Sequence, residues 1–468
     1  MKNLSIRRQG RKIFTFTSIY CKLYIVNGQM AKEWCHRARR GVWKGIQDTI
    51  NDNLLLRRKE SKMLSKKIQA ALAGSSAIRA MFVEGKELAA KVGVDDVFDY
   101  SLGNPATPAP DSIKQVAADL LEKEDPLVLH GYMSNSGYED VREAVAQNLN
   151  SRFGTDFTCK NIIMTVGAAG GINIVFKALL DPGDEVIVFA PFFGEYRNYA
   201  ANFDAAVVAV APDYNTFQPD LDAFEAAFTE KTKAVLINTP NNPTGVIYSD
   251  ETMNGIADIL RRKEAEYKKD IYLISDEPYR ELVYDGAKEN FLTKYYHNTI
   301  VGYSFSKSLS LPGERIGYIA VPNEASDSQD LLAGLEVANR ILGFVNAPSL
   351  IQKVVAGCIN ETTNLDFYDK NRKDLYEGLT RLGFTCIKPQ GAFYLWVKSP
   401  EEDEAKFVSE AKKYNLVLVK GSAFGCSGYV RLAYCIPNEK INRSLEAFAK
   451  LAAKYRLLEN SGGEHTGV

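Results

Sequence analysis

Residues 299–321 read TIVGYSFSKSLSLPGERIGYIAV. Two apolar runs, TIVGYSF (299–305) and RIGYIAV (315–321), enclose a turn with one lysine, Lys307, among serines, followed by Pro312-Gly313 and Arg315. A solvated turn carries such residues without any task. A lysine that forms an imine beside a bound phosphate needs the same set: an amine, hydroxyls and a guanidinium. The rest of the chain decides between the two.

Working outward, apolar runs of strand length recur as IIMTV (162–166), EVIVF (185–189), AAVVAV (205–210), KAVLIN (233–238) and IYLIS (271–275). Most are continuous and β-branched, as in strands buried on both faces. Helix-length segments such as 171–180 and 250–267 separate them. The alternation predicts an α/β fold whose large domain holds a mostly parallel, seven-stranded sheet. After Asn346-Ala347-Pro348 the pattern changes. A helix over 366–382 precedes the short strands FYLWV, LVLVK and YVRLAY, which reads as a smaller α+β domain. A length of 468 residues fits two domains. The expected division is a large domain over 111–345, a small domain from 63–110 and 346–457, and a polar tail over 458–468. Residues 1–62 are expected to lie outside the fold.

Composition excludes several classes. A net charge of −1 supplies no field that would steer the chain to nucleic acid or to a membrane. Seven cysteines without CxxC spacing point to reduced thiols and a cytoplasmic setting. Four scattered histidines and the lack of HExxH leave no metal site to expect. Residues 1–62 stand apart, with 15 Lys/Arg against 4 Asp/Glu. They lack the unbroken apolar region and small-residue cleavage site of a signal peptide. An Arg-rich, acid-poor transit peptide is one reading. The favoured one is a misassigned start upstream of Met63, because MLSKKIQAALAGSSAIRAMF opens a segment with apolar residues at helical spacing through Ile78, Met81, Phe82 and Leu88. RRKESK (57–62) is also what the purine-rich DNA of a bacterial ribosome-binding site would encode.

In open α/β sheets ligands bind at the carboxyl ends of the strands. Those ends carry Gly167-Ala168-Ala169-Gly170-Gly171, Ala190-Pro191-Phe192-Phe193, Thr239-Pro240-Asn241-Asn242-Pro243-Thr244-Gly245, Asp276-Glu277-Pro278-Tyr279 and Ser306-Lys307. Neither GxGxxG nor GxxxxGK[ST] is present, so dinucleotide and P-loop readings are weak. Small residues at a helix start let backbone amides close on an anion. An aromatic side chain can stack on a flat ring. A carboxylate straight after a buried strand costs free energy unless a cation or donors meet it. Each feature alone has an ordinary structural reading. Together they are the set that a pyridine ring bearing a phosphate and an aldehyde requires.

With NNPTG, DEPY, SFSKSLSLPGERIG and the late GSAFG…VRLAY, the sequence resembles the class I/II pyridoxal-phosphate aminotransferases of the aspartate aminotransferase fold type, over roughly residues 63–455. The resemblance implies pyridoxal 5'-phosphate as cofactor and transfer of an amino group between an amino acid, aspartate-like or other, and a 2-oxo acid such as 2-oxoglutarate. It makes Lys307 the residue that binds the cofactor's aldehyde and shuttles the proton. Asp276 pairs with the pyridine nitrogen, Asn242 and Tyr279 hold the ring oxygen, and Phe193 stacks on the ring. Ser304, Arg315 and the backbone amides of Ala168 and Ala169 hold the phosphate. Tyr132, in HGYMSNSGY, matches a tyrosine that reaches the phosphate of a neighbouring subunit, which implies a homodimer. Arg431 binds the substrate α-carboxylate as a fork. Gly103, in SLGNPATPAP, lies close to the substrate. Arg340, in NRILGFVNAP, falls near the place of an arginine that reads a distal carboxylate from the neighbouring subunit, one residue out of step. Departures are Ala106-Thr107, where the family more often has an acidic-aromatic pair, and Ala168-Ala169, which lack a hydroxyl or lysine that some relatives use. A carbon–sulfur lyase shares fold and cofactor but releases ammonia. A transcriptional regulator with an aminotransferase-like domain would need a helix-turn-helix N-terminus, and residues 1–62 lack two patterned helices.

Overall fold

In chain order, a two-residue strand, β1 (Phe98–Asp99), precedes seven strands built from the unbroken apolar runs: β2 (Ile162–Thr165), β3 (Glu185–Phe189), β4 (Ala206–Val210), β5 (Thr232–Asn238), β6 (Tyr272–Asp276), β7 (Thr299–Ser304) and β8 (Gly317–Ala320). They belong to a computed structural model that describes residues 64–73, 77–288 and 290–460. Residues 1–62 and Met63 lie outside the described residues, as does the end of the tail, and with them the readings made of that segment. The chain parts into two units between Gly74 and Ser75. Of the first unit, the helix Lys66–Ala73 is described.

In the second unit the seven strands form one sheet in the order β2-β8-β7-β6-β5-β3-β4. Pairing is parallel from β4 through β3, β5 and β6 to β7, while β8 runs antiparallel to both β7 and β2. The stretches Val186–Phe189, Ala234–Ile237 and Tyr272–Ile274 are apolar without a break because both faces of these inner strands are covered. Val186 and Val188 of β3 enter one core with Ala234 and Leu236 of β5, beneath the helices Gly167–Leu179 and Ser328–Ile341. Ile187, Phe189, Val235 and Ile237 enter the other, against Met253, Ile256 and Leu260 of the helix Asp250–Tyr267. Consecutive residues thus point to opposite faces, and each buried Val, Leu or Ile contributes about 1.5–3 kcal/mol.

After the helix Ser349–Gly357 the chain builds β9 (Cys386–Ile387), β10 (Tyr394–Lys398), β11 (Leu416–Val417), β12 (Val419–Lys420) and β13 (Tyr429–Ala433). Four of these form an antiparallel sheet in the order β12-β13-β10-β9. β11 instead pairs with β1, Phe98 opposite Leu416, so the segment before residue 100 joins the C-terminal part of the chain. The sequence starts β8 at Arg315, but the structure starts it at Gly317. Arg315 sits before the strand in the left-handed region, with φ +52°.

Just beyond β6, Glu277 and Arg280 are each 1% exposed and pair at 2.5 Å. Arg280 also donates to the Tyr318 hydroxyl at 2.7 Å and lies 4.5 Å over the Tyr303 ring. Glu277 accepts from Ser275 Oγ at 2.6 Å. Removing one partner of such a pair leaves a buried charge uncompensated. Arg280→Met is therefore expected to destabilise the fold by about 3–5 kcal/mol, measured by denaturant unfolding, and Arg280→Met with Glu277→Gln by clearly less.

Candidate active site

The carboxyl ends of β2, β3, β5, β6 and β7 border a cavity of about 260 Å³. Asp276, the last residue of β6, is 6% exposed. Its register neighbours are Asn238 on β5 and Gly302 on β7, which hold it inside the sheet. Tyr196 Oη donates to Asp276 Oδ2 at 2.5 Å. Oδ1 is buried without a hydrogen-bond partner. Burial pushes this carboxyl up to about 7, the Tyr196 hydrogen bond opposes that, and Glu277 adds to it. Asn238 Nδ2 donates to the Asp276 carbonyl, its Oδ1 accepts from the Asn242 backbone amide at 2.7 Å, and Asn242 Oδ1 accepts from Arg431 at 3.1 Å.

β7 ends at Ser304, which caps the four-residue helix Phe305–Ser308 through a bond from the Ser306 amide. That helix carries Lys307 into the cavity, where Nζ donates to the Gly103 carbonyl at 2.8 Å. Burial pulls the Lys307 ammonium down to about 8, with Arg315 and Arg431 pushing the same way and Cys435 opposing. Beside it, Ala168 and Ala169 form the first turn of the helix Gly167–Leu179, whose N-cap, Val166, provides no side-chain cap. The amides of this turn are left for an anion. Gly167 has φ +75°, and a Cβ there would stand 2.7 Å from the Arg315 guanidinium. Only glycine allows both the turn and that approach.

Arg431, on β13 between β10 and β12, reaches the cavity from the C-terminal sheet. One amino group bonds Asn242 and the other the Ser101 carbonyl at 2.5 Å, while Nε is buried without a partner. Its ring neighbour Tyr394 bonds Tyr279, hydroxyl to hydroxyl, at 2.8 Å. A Cβ on Gly103 would lie 2.1 Å from the Tyr394 hydroxyl, so this position must be glycine for close approach alone. The departing residue Thr107 also has a partner set: its hydroxyl lies 2.6 Å from Thr363 Oγ1, 3.0 Å from Tyr368 Oη and 3.1 Å from Ser310 Oγ.

The structure thus brings together Gly103, Ala168, Ala169, Phe193, Asn242, Asp276, Tyr279, Ser304, Lys307, Arg315 and Arg431 around one cavity. Tyr132 and Arg340 do not line it. Tyr132 is 94% exposed, and Arg340 is exposed at the end of the helix Ser328–Ile341. Sequence reading missed Tyr196, Asn238 and Tyr394, and named Ser306 at the strand end without giving it a role. Asn238 had a usable signal, being the polar end of an apolar strand. Among the described residues no group of His, Cys, Asp and Glu could hold a metal ion, and no helix is long and apolar enough to cross a membrane.

A lysine amine, a buried carboxylate and an uncapped helix start on one sheet edge equip an enzyme that handles carbonyl and amino groups. The description "aminotransferase class I and II" fits residues 95–448, and the chain belongs to that family, whose members use pyridoxal 5'-phosphate. The aspartate aminotransferase of Thermotoga maritima is 32% identical over 359 residues, 75% of this chain and 90% of that protein. The aspartate/prephenate aminotransferase of Thermus thermophilus is 30% identical over 397 residues, 84% and 99% of the two chains. An aminotransferase from Eubacterium rectale superposes with a TM-score of 0.82 at 46% identity, covering 84% of this chain and 99% of that one.

The Asp276 carboxyl is raised in the fold, so its protonated form is favoured there, and without a cation the fold loses stability as pH rises from about 4 through 7. A difference of that size is worth about 4 kcal/mol at most. In cofactor-free protein, Asp276→Asn should remove this loss. Melting temperature measured from pH 4 to 8 should fall less steeply for the variant than for the parent.

Proposed function

We propose that the chain binds pyridoxal 5'-phosphate in this cavity and moves an amino group between an α-amino acid and a 2-oxo acid such as 2-oxoglutarate. The observation that carries the reading is the buried, partnerless Asp276 Oδ1 in the cavity that also holds the Lys307 amine. That oxygen fits the protonated nitrogen of a pyridine ring, the one cation the fold itself does not supply there. When bound, the cofactor supplies an aldehyde that links to an amine and a ring that takes up electrons.

The chain's own residues do the rest. Lys307, neutral for an appreciable fraction of the time near pH 8, provides the amine and carries a proton to and from the substrate's α-carbon. Asp276 holds the ring nitrogen protonated, with Tyr196 fixing its other oxygen. Asn242 and Tyr279 orient the ring by its oxygen, and Phe193 covers a face. Ser304, Arg315 and the amides of Ala168 and Ala169 hold the phosphate. Arg431 offers its free Nε and one amino group to the α-carboxylate, and Gly103 lets the substrate come close. Tyr132 of the partner subunit completes the phosphate site, which makes the working form a homodimer. The catalytic residues in this reading are Lys307, Asp276 and Tyr279.

The same reading keeps residues 63–110 and 346–457 as the small domain and 111–345 as the large one. It places the enzyme in the cytoplasm, in amino-acid biosynthesis, with neither nucleic acid nor membrane as partner. The aspartate and aspartate/prephenate aminotransferases among the relatives favour an aspartate-like donor, and Arg340 of the partner subunit is the proposed reader of its distal carboxylate. Release of ammonia from the amino donor would instead mark a carbon–sulfur lyase.

Lys307→Ala should lower transamination at least about a thousandfold and abolish the absorbance of the lysine-linked cofactor, with the fold intact by circular dichroism. Retained activity would overturn the assignment. A half-reaction screen, in which single amino acids convert the bound cofactor to its amine form, identifies the donor. Arg340→Ala should weaken aspartate and 2-oxoglutarate about tenfold or more in kcat/KM and leave alanine unchanged; equal losses would remove Arg340 from this role.

A further inference from the structure

Tyr394 begins β10, where it pairs with Ala433 of β13 and is buried. The sequence placed it in the short strand FYLWV and gave it no role in the site. Its hydroxyl nevertheless faces the cavity, 2.8 Å from the Tyr279 hydroxyl, with the Arg431 guanidinium 4.6 Å over its ring. The titratable or charged groups that face the two phenols are Arg431 from β13, Asp276 from β6, Tyr196 from the helix Glu195–Ala201 and the Cys435 thiol beyond β13.

Each phenol has one proton to give. Across the contact between the two hydroxyls either can be the donor. Under the reading above, on which this inference rests, Tyr279 gives its proton to the oxygen of the bound ring. A phenol whose proton is committed can only accept at its second contact. The 2.8 Å bond must then run from Tyr394 to Tyr279. Burial holds the Tyr394 phenol up at about 12, so its proton is available across the working pH range. In a hydrogen-bond chain, accepting from one neighbour strengthens donation to the next.

We propose that Tyr394 is a positioning residue: it donates to Tyr279 and so makes Tyr279 a stronger donor to the ring oxygen of the cofactor. A stronger donor draws negative charge from that oxygen. The oxygen then holds the proton on the Lys307-linked nitrogen less tightly, and the nitrogen is kept unprotonated to lower pH. Tyr394 touches neither the reacting carbon nor its proton and acts wholly through Tyr279.

The test is an absorbance titration of the holoenzyme against pH. Tyr394→Phe removes the hydroxyl and keeps the ring under Arg431. It should raise the midpoint by about 0.5–1 pH unit and lower kcat about threefold near pH 7, with KM for the amino acid unchanged within about twofold. Tyr279→Phe should raise the midpoint further, and the double variant should match Tyr279→Phe alone. A Tyr394→Phe midpoint within about 0.2 of the parent overturns the inference, whatever happens to the melting temperature. So does a double variant in which the two shifts add, because Tyr394 would then act without Tyr279. A parent protein that takes up the cofactor without a pH-dependent band overturns the Lys307 reading itself, and this inference with it.

Discussion

A carboxylate buried at the end of a parallel strand is the constraint around which the site is arranged. Two acids follow one another at the end of β6, and burial pushes both upward. Glu277 is completed within the fold by Arg280 and Ser275. Asp276 has a phenol on one oxygen and nothing on the other. A buried ion pair by itself says little about function, since structural networks shift titration as readily as catalytic ones. The contrast between neighbours says more. The fold neutralises one acid and leaves its twin, facing the cavity, to be met from outside.

The cations of the site divide two tasks between themselves and share a third. Arg315 stands at the uncapped helix start and Arg431 at the C-terminal sheet, so on the proposed reading each would meet one anionic end of a bound pair of molecules. Both also push the Lys307 ammonium in the direction burial already takes it, down to about 8. At pH 7.5 that change lifts the unprotonated fraction of the amine from about a thousandth to about a quarter. Burial thus does most to make the amine reactive, and the charges that would hold the phosphate and the carboxylate add to it.

Much of this was legible in the chain. The continuous runs at 185–189, 233–238 and 271–275 gave the parallel strands because a doubly covered sheet leaves no polar face to interrupt them. The residues ending those strands gave most of the site because the carboxyl edge is where the register collects them. What escaped depends on contacts between distant segments. Tyr394 and Tyr279 meet across 115 positions, and FYLWV looks like any core strand. Tyr196 lies one helical turn beyond Phe193, and its bond to Asp276 spans 80 positions. Arg315 was read as the first residue of β8 because RIGY continues an apolar pattern. Its left-handed φ keeps it out of the ladder and beside Gly167. Periodicity does not carry that information.

The segment 101–107 shows why the site needs the whole second unit and not the seven-stranded sheet alone. Its start is tied to the C-terminal sheet, since Ala433 donates to the Tyr100 carbonyl, Arg431 to that of Ser101, and Tyr100 bonds Ser444 through their hydroxyls. Its end is tied to the other side by three hydroxyls that can close a ring: Thr107 gives to Thr363, Thr363 to Ser310 and Ser310 to Thr107. In that arrangement every hydroxyl donates once and accepts once, and Thr107 keeps a second lone pair for Tyr368. Ser310 follows Lys307 by three residues, so the ring joins the lysine's own turn to the strap that crosses it. Between these anchors lies Gly103, whose carbonyl meets the Lys307 amine and whose missing side chain admits the Tyr394 hydroxyl. At Ala106-Thr107 the strap is therefore fastened by neutral hydroxyls that satisfy one another and place no charge near Lys307.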